Sequence, residues 1–181
     1  MRADAHADAA RFERLFDRHA AELLTYCFRR TADAQLAEDL VSAVFLEAWR
    51  RRGVLRAEDE ARPWLYGIAT NLVRHQWRSR RRHAAALARM ARGRDEGEPA
   101  DEVLARQEEM RAVLAGVAAL PRREQDVLAL CVWSGLSYED AARALGLPVG
   151  TVRSRLSRAR RRLSVTRAGG PLAPRPERNP S

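Results

Sequence analysis

The sequence predicts an all-α protein made of two small helical domains joined by a flexible linker. Three observations point there. Apolar residues recur at helical spacing through most of the chain, no stretch alternates with the two-residue period of a strand, and one stretch in the middle loses periodicity altogether. No internal repeat is present.

The first helix is read from Arg11 to Arg30. Phe12, Leu15, Phe16, Ala20, Leu23, Leu24, Cys27 and Phe28 mark one face of it over five turns. Asp33 suits the cap of a second helix, Ala34 to Arg52, which Gly53 ends. Its inward set is Leu36, Leu40, Val41, Val44, Phe45 and Ala48. Leu46 and Trp49 fall off that stripe, so this helix has either a wide core face or a partner surface made of Asp39, Leu40, Leu46 and Trp49 with Arg50 at its rim.

After a polar loop, residues 53–62, Pro63 fits the first position of a third helix carrying Trp64, Leu65, Ile68, Leu72 and Val73 inward. Tyr66, Thr70, Asn71, Arg74, His75 and Arg78 lie on its other face with Trp77 close by, and RSRRRH (Arg78–His83) follows. Two readings fit this stretch. One is core tryptophans beside a solvated charge run. The other is a surface for unstacked bases, in which aromatics stack and Arg tracks phosphate, each stacked base being worth roughly 1–3 kcal/mol.

Residues 84–101, including GRDEGEP (Gly93–Pro99), read as the linker. Helices resume near Glu102, with Val103, Met110, Val113, Leu114 and Val117 inward. Pro121 starts another, holding Val127, Leu128, Leu130 and Cys131, and Gly135 breaks it. Ser137 to Leu163 then reads as a helix, a turn at Gly146 and a longer helix. Ser137 and Asp140 form a capping box; Ala141, Ala142, Leu145 and Leu147 pack beneath, and Val149, Val152, Leu156, Ala159 and Leu163 continue the apolar stripe. Thr151, Arg153, Ser154, Ser157, Arg158 and Arg161 are left on or near the opposite face. This is the pattern of a helix-turn-helix whose second helix enters the DNA major groove. The tail, 165–181, is rich in Pro and Gly and is expected to be disordered.

Charge supports the nucleic-acid reading through its placement. All 33 basic residues are Arg, and the net charge is +9. Residues 1–73 are net −1, 74–94 carry eight Arg and no acid, 95–140 are net −7, and 141–181 are net +9. Two positive blocks separated by an acidic segment suit two nucleic-acid contacts better than diffuse attraction. Cys27 and Cys131 stand alone among apolar neighbours and read as buried thiols of a reducing cytoplasm. His6, His19, His75 and His83 make no metal-ligand pattern, and no nucleophile–base pairing or Gly-rich phosphate loop is visible, so no catalytic residue, metal or cofactor is expected. The N-terminus has no signal-like apolar core, and no run approaches a membrane span.

Three stretches in order, AEDLVSAVFLEAWRR (Ala37–Arg51), WLYGIATNLVRHQWRSRRR (Trp64–Arg82) and LPRREQDVLAL…GLSYEDAARALGLPVGTVRSRLSRARRRL (Leu120–Leu163), resemble regions two and four of the extracytoplasmic-function (ECF) sigma factors of bacterial RNA polymerase. The resemblance implies region two over 10–83, the linker 84–101 and region four over 102–164. It implies docking on the polymerase β′ clamp helices through Asp39, Leu40, Phe45, Trp49 and Arg50, with the β flap as a further contact. It implies capture of the −10 element as single strand through Trp64, Asn71, Arg74, His75 and Arg78, with Arg80, Arg81 and Arg82 adding sequence-blind attraction. It further implies reading of the −35 element by Arg153, Ser154, Ser157 and Arg158, with Gly150 and Thr151 against phosphate, and an anti-sigma factor as a usual partner. Two rival readings are a free-standing helix-turn-helix regulator of the LuxR type and an RNA-binding or adaptor protein using Arg78–Arg82.

Overall fold

The computed structural model describes residues 2–54, 60–90 and 116–166, all helical or in short connections. Helix α1 spans Arg2–Thr31, α2 Ala34–Arg50 and α3 Ala61–Met90, with a short 3-10 turn at Arg52–Val54. In the C-terminal half, residues 116–119 are helical, followed by α4 (Arg122–Leu128), a π-helical turn (Ala129–Trp133), α5 (Tyr138–Leu145) and α6 (Val149–Thr166).

Local chemistry sets several of these boundaries. The Asp33 carboxylate accepts from the Leu36 N–H at 3.0 Å, so the expected cap starts α2. Helix α1 begins at Arg2, nine residues before the expected start at Arg11, because ADAHADAA is rich in Ala, the best helix former. Helix α3 runs to Met90, into the segment expected as linker, while residues 91–115 lie outside the described residues. So do 167–181, most of the expected tail. The π turn is closed by the Ser134 N–H donating to the Ala129 carbonyl at 3.0 Å, and Gly135 follows with φ 63°.

Packing joins the two halves. Leu23, Tyr26, Cys27, Val41, Val44, Leu65, Ala69 and Val73 of α1–α3 share one buried core with Val127, Leu130, Leu136, Ala141, Ala142 and Val152. A second cluster (Val117, Leu120, Leu128, Leu156, Ala159) lies within the C-terminal half alone. Where α3 crosses α5, a Cβ at Gly67 would sit 2.7 Å from the Ala144 carbonyl oxygen, so only glycine permits this approach.

The polar face expected on α3 is corrected at two positions. Tyr66 and Thr70 are 1% and 0% exposed. The Thr70 hydroxyl lies 2.8 Å from the Tyr26 hydroxyl and donates to the Tyr66 carbonyl at 2.7 Å, while the Tyr26 and Tyr66 rings meet edge to face at 5.2 Å. The Tyr26 and Thr70 hydroxyls are thus paired within the protein, which lets this face of α3 join the core.

Candidate nucleic-acid interface

The helix-turn-helix is built as its capping residues dictate. Ser137 Oγ accepts from the Asp140 N–H at 3.0 Å and donates to the Asp140 carboxylate at 2.8 Å. Burial alone would raise the Asp140 pKa, but bonds from Arg143 and Ser137 outweigh it and hold the carboxyl below its ordinary range. At the other end of α5, Gly146 takes φ 63°; its N–H donates to the Arg143 carbonyl, and the Leu147 N–H donates to the Ala142 carbonyl at 2.9 Å. This is a Schellman ending, with Leu147 tucked under the turn. Thr151 N–H then donates to the Pro148 carbonyl at 2.9 Å to open α6.

Val152, Leu156 and Ala159 bury one face of α6 at 0%, 1% and 0% exposure. A 3.5 Å ion pair between Arg162 and the buried Glu124 ties that helix to α4. Gly150, Arg153, Ser154, Ser157 and Arg158 are all exposed, and Thr151 is half-buried. Arg158 bonds back to Ser154, Nε to its carbonyl at 3.1 Å, and the Arg153 guanidinium lies 5.7 Å from the Tyr138 ring centre. The structure therefore brings the six expected −35 residues onto one helix, five of them exposed.

On α3, Asn71, His75, Arg78 and Arg82 are exposed at steps of four, three and four residues, forming a continuous polar stripe with Arg81 beside it. Trp64 is half-buried against Leu15 and Ala61. Two arginines of the set are engaged within the protein. Arg80 pairs with Asp33 at 3.0 Å, and Arg74 binds the Asp126 carboxylate at 2.8 Å. The Asp33 pKa is lowered first by the Leu36 N–H and then by Arg80.

On α2, Asp39 and Arg50 are exposed, Leu46 is 51% exposed and Trp49 is half-buried beside Phe12 at 5.1 Å. Leu40 and Phe45 turn inward at 7% and 4% exposure, Phe45 meeting Phe16 at 4.8 Å. They hold the helix in place and leave Asp39, Leu46, Trp49 and Arg50 as the face available to a partner.

Sequence reasoning passed over Arg30 and Asp126. Their side chains are 3% and 1% exposed and meet at 2.5 Å. The Arg30 guanidinium also lies over Trp77 at 4.3 Å, and Arg122 lies over the same indole at 3.7 Å. Asp126 is one of eleven acids in its segment, and no local pattern singles it out.

Comparison with known proteins settles what these surfaces belong to. The family model for sigma-70 region 2 matches residues 15–83, and that for sigma-70 region 4 matches residues 110–163. The chain is 35% identical over 165 residues to the ECF RNA polymerase sigma factor SigL of Mycobacterium tuberculosis (strain ATCC 25618 / H37Rv), spanning 90% of this chain and 92% of that one. The protein belongs to the ECF sigma factors. It is also 32% identical to the RNA polymerase sigma-H factor of Pseudomonas aeruginosa, with 84% of each chain covered. Among solved structures it resembles the sigma factor RpoE in complex with the anti-sigma factor NepR from Bartonella quintana, at TM-score 0.67 and 25% identity, over 87% of this chain and 96% of that one. The region 2 match covers most of α3, a helix that the reading as a free-standing helix-turn-helix regulator leaves without a role. Among the described residues of this sigma factor, no helix is long and apolar enough to cross a membrane.

Proposed function

We propose that this sigma factor acts in the cytoplasm as a dissociable specificity subunit with no catalytic chemistry of its own. Core RNA polymerase docks on the α2 face around Asp39, Leu46, Trp49 and Arg50 through its β′ clamp helices, and on region four through the β flap. Helix α6 enters the major groove of the −35 element, with Arg153, Ser154, Ser157 and Arg158 toward base edges and Gly150 and Thr151 near phosphate. Trp64 and the stripe Asn71–His75–Arg78 hold unstacked bases of the −10 strand, while Arg81 and Arg82 supply salt-sensitive attraction. Arg74 and Arg80 join them once released from Asp126 and Asp33. An anti-sigma factor is the expected regulatory partner.

The observation that carries this reading is the pairing in one chain of an exposed Arg/Ser helix, set behind a capped helix and turn, with a second, separate basic and aromatic helix. Two contacts with different geometry fit a bipartite promoter. The test is run-off transcription with purified core polymerase on a genomic promoter library. Specific transcripts that depend on the added protein support the reading; none from any promoter would overturn it.

A further inference from the structure

We propose that Asp126 is an interdomain latch, holding the free protein in a closed form in which its two promoter readers cannot both be used. Asp126 lies on α4 of region four, yet its carboxylate is bound from both sides by region two: Arg30 of α1 at 2.5 Å and Arg74 of α3 at 2.8 Å. Both Arg30 and Asp126 are removed from solvent, and Arg30 Nε, also buried, has no hydrogen-bond partner. A second tie lies nearby, where the Arg62 guanidinium bridges Glu22 of its own domain at 3.0 Å and the Ser134 carbonyl of the other at 2.5 Å.

This inference rests on the promoter reading proposed above, and geometry supplies the conflict. Positions −35 and −10 are about 25 base pairs apart, or roughly 85 Å along a straight duplex at about 3.4 Å per pair. A compact body of this chain length has a radius of gyration of about 16 Å and a diameter of roughly 40 Å. In the closed form α3 and α5 touch backbone to backbone at Gly67 and Ala144. Arg74, expected at the −10 strand, is at the same time spent on Asp126. The domains must therefore part before both elements are engaged.

A buried ion cluster suits such a switch. Desolvation offsets most of its Coulomb attraction, so the intact cluster fixes one geometry at little net gain, while removing one partner strands buried charge and drives the domains apart. Once the domains separate, all three charged groups regain water. Polymerase docking would then shift a closed–open equilibrium, and the apparent affinity for core is reduced by the fraction of protein that is closed.

Two variants of the full chain test this by different physics. Asp126→Asn keeps the side-chain volume and removes the charge. Gly67→Ala inserts a methyl against the Ala144 carbonyl and favours the α3 helix itself. By small-angle scattering both should raise the radius of gyration of the free protein by a quarter or more, with helix content by circular dichroism unchanged. Both should also tighten binding to core polymerase about threefold or more. If neither folded variant expands, the latch is refuted. Expansion without tighter core binding refutes its regulatory part. Failure of the promoter reading looks different: the variants still expand, but neither they nor the parent protein bind core. If Asp126→Asn does not fold, Arg30→Gln, which removes the facing buried charge, takes its place, and a folded Arg30→Gln that stays compact refutes the latch.

Discussion

Replacing Arg153 with Ala separates base reading from general attraction to DNA. The side chain is exposed on α6, one turn from the helix start, and its guanidinium lies 5.7 Å from the Tyr138 ring centre. A bidentate contact to a guanine is worth about 1–3 kcal/mol of discrimination. Leaving the half-buried Tyr138 ring, whose centre is 5.7 Å away, costs about 0.5 kcal/mol of that. The remainder, about 0.5–2.5 kcal/mol, corresponds to roughly a 2- to 70-fold loss of preference at one position of the −35 element. The assay is competitive transcription by holoenzyme from templates carrying each base at each −35 position. Arg153→Ala should flatten the preference at one position and leave core binding intact. Arg81→Ala, exposed in the second half of α3, should instead weaken all templates alike and reduce the salt dependence by about one phosphate contact. If Arg153→Ala lowered every template equally, α6 would be gripping backbone only, and its role as the −35 reader would be wrong.

Other perturbations test how the site is held. Thr70→Val strands the buried Tyr26 hydroxyl and should cost about 1–3 kcal/mol in urea unfolding, whereas Tyr26→Phe, which leaves Thr70 its bond to the Tyr66 carbonyl, should cost only about 0.5–1.5 kcal/mol; equal costs would contradict the pairing. Glu22 is raised by burial but lowered more by Arg62 and His19, so its folded pKa lies below the ordinary value of 4.5. The stability it adds is present above that value and is lost as pH falls through the depressed one. Glu22→Gln should therefore flatten the acid limb of stability against pH, and an unchanged limb would refute the assignment.

Much of this arrangement is legible in the chain itself. The Ser137 capping box, the Gly146 turn and the α6 stripe are local, each fixed by residues within a few positions of one another, and they stand where the sequence puts them. The ends of α1 and α3 are less legible, because Ala- and Arg-rich segments form helix by propensity without an apolar stripe to announce it. Tyr66 and Thr70 resemble a polar face until Tyr26, 44 residues from Thr70, pairs with the Thr70 hydroxyl and packs its ring edge to face on Tyr66. The Arg30–Asp126 pair is hidden for the same reason at greater range. Its partners are 96 residues apart, and charge counting assigns them to separate segments. Leu40 and Phe45 show the converse: an apolar residue on a helix expected to dock can serve the core, and only burial tells which.

The claim that α6 selects the upstream element while α3 holds the opened strand is tested most directly by 2-aminopurine fluorescence at the −10 element. The protein together with core polymerase should raise the signal on a promoter with an intact −35 element, without ATP hydrolysis. The protein alone, core alone, or the pair on a scrambled −35 element should not. Opening by the pair that ignores the −35 sequence, or tight duplex binding by the protein alone without opening, would contradict the account.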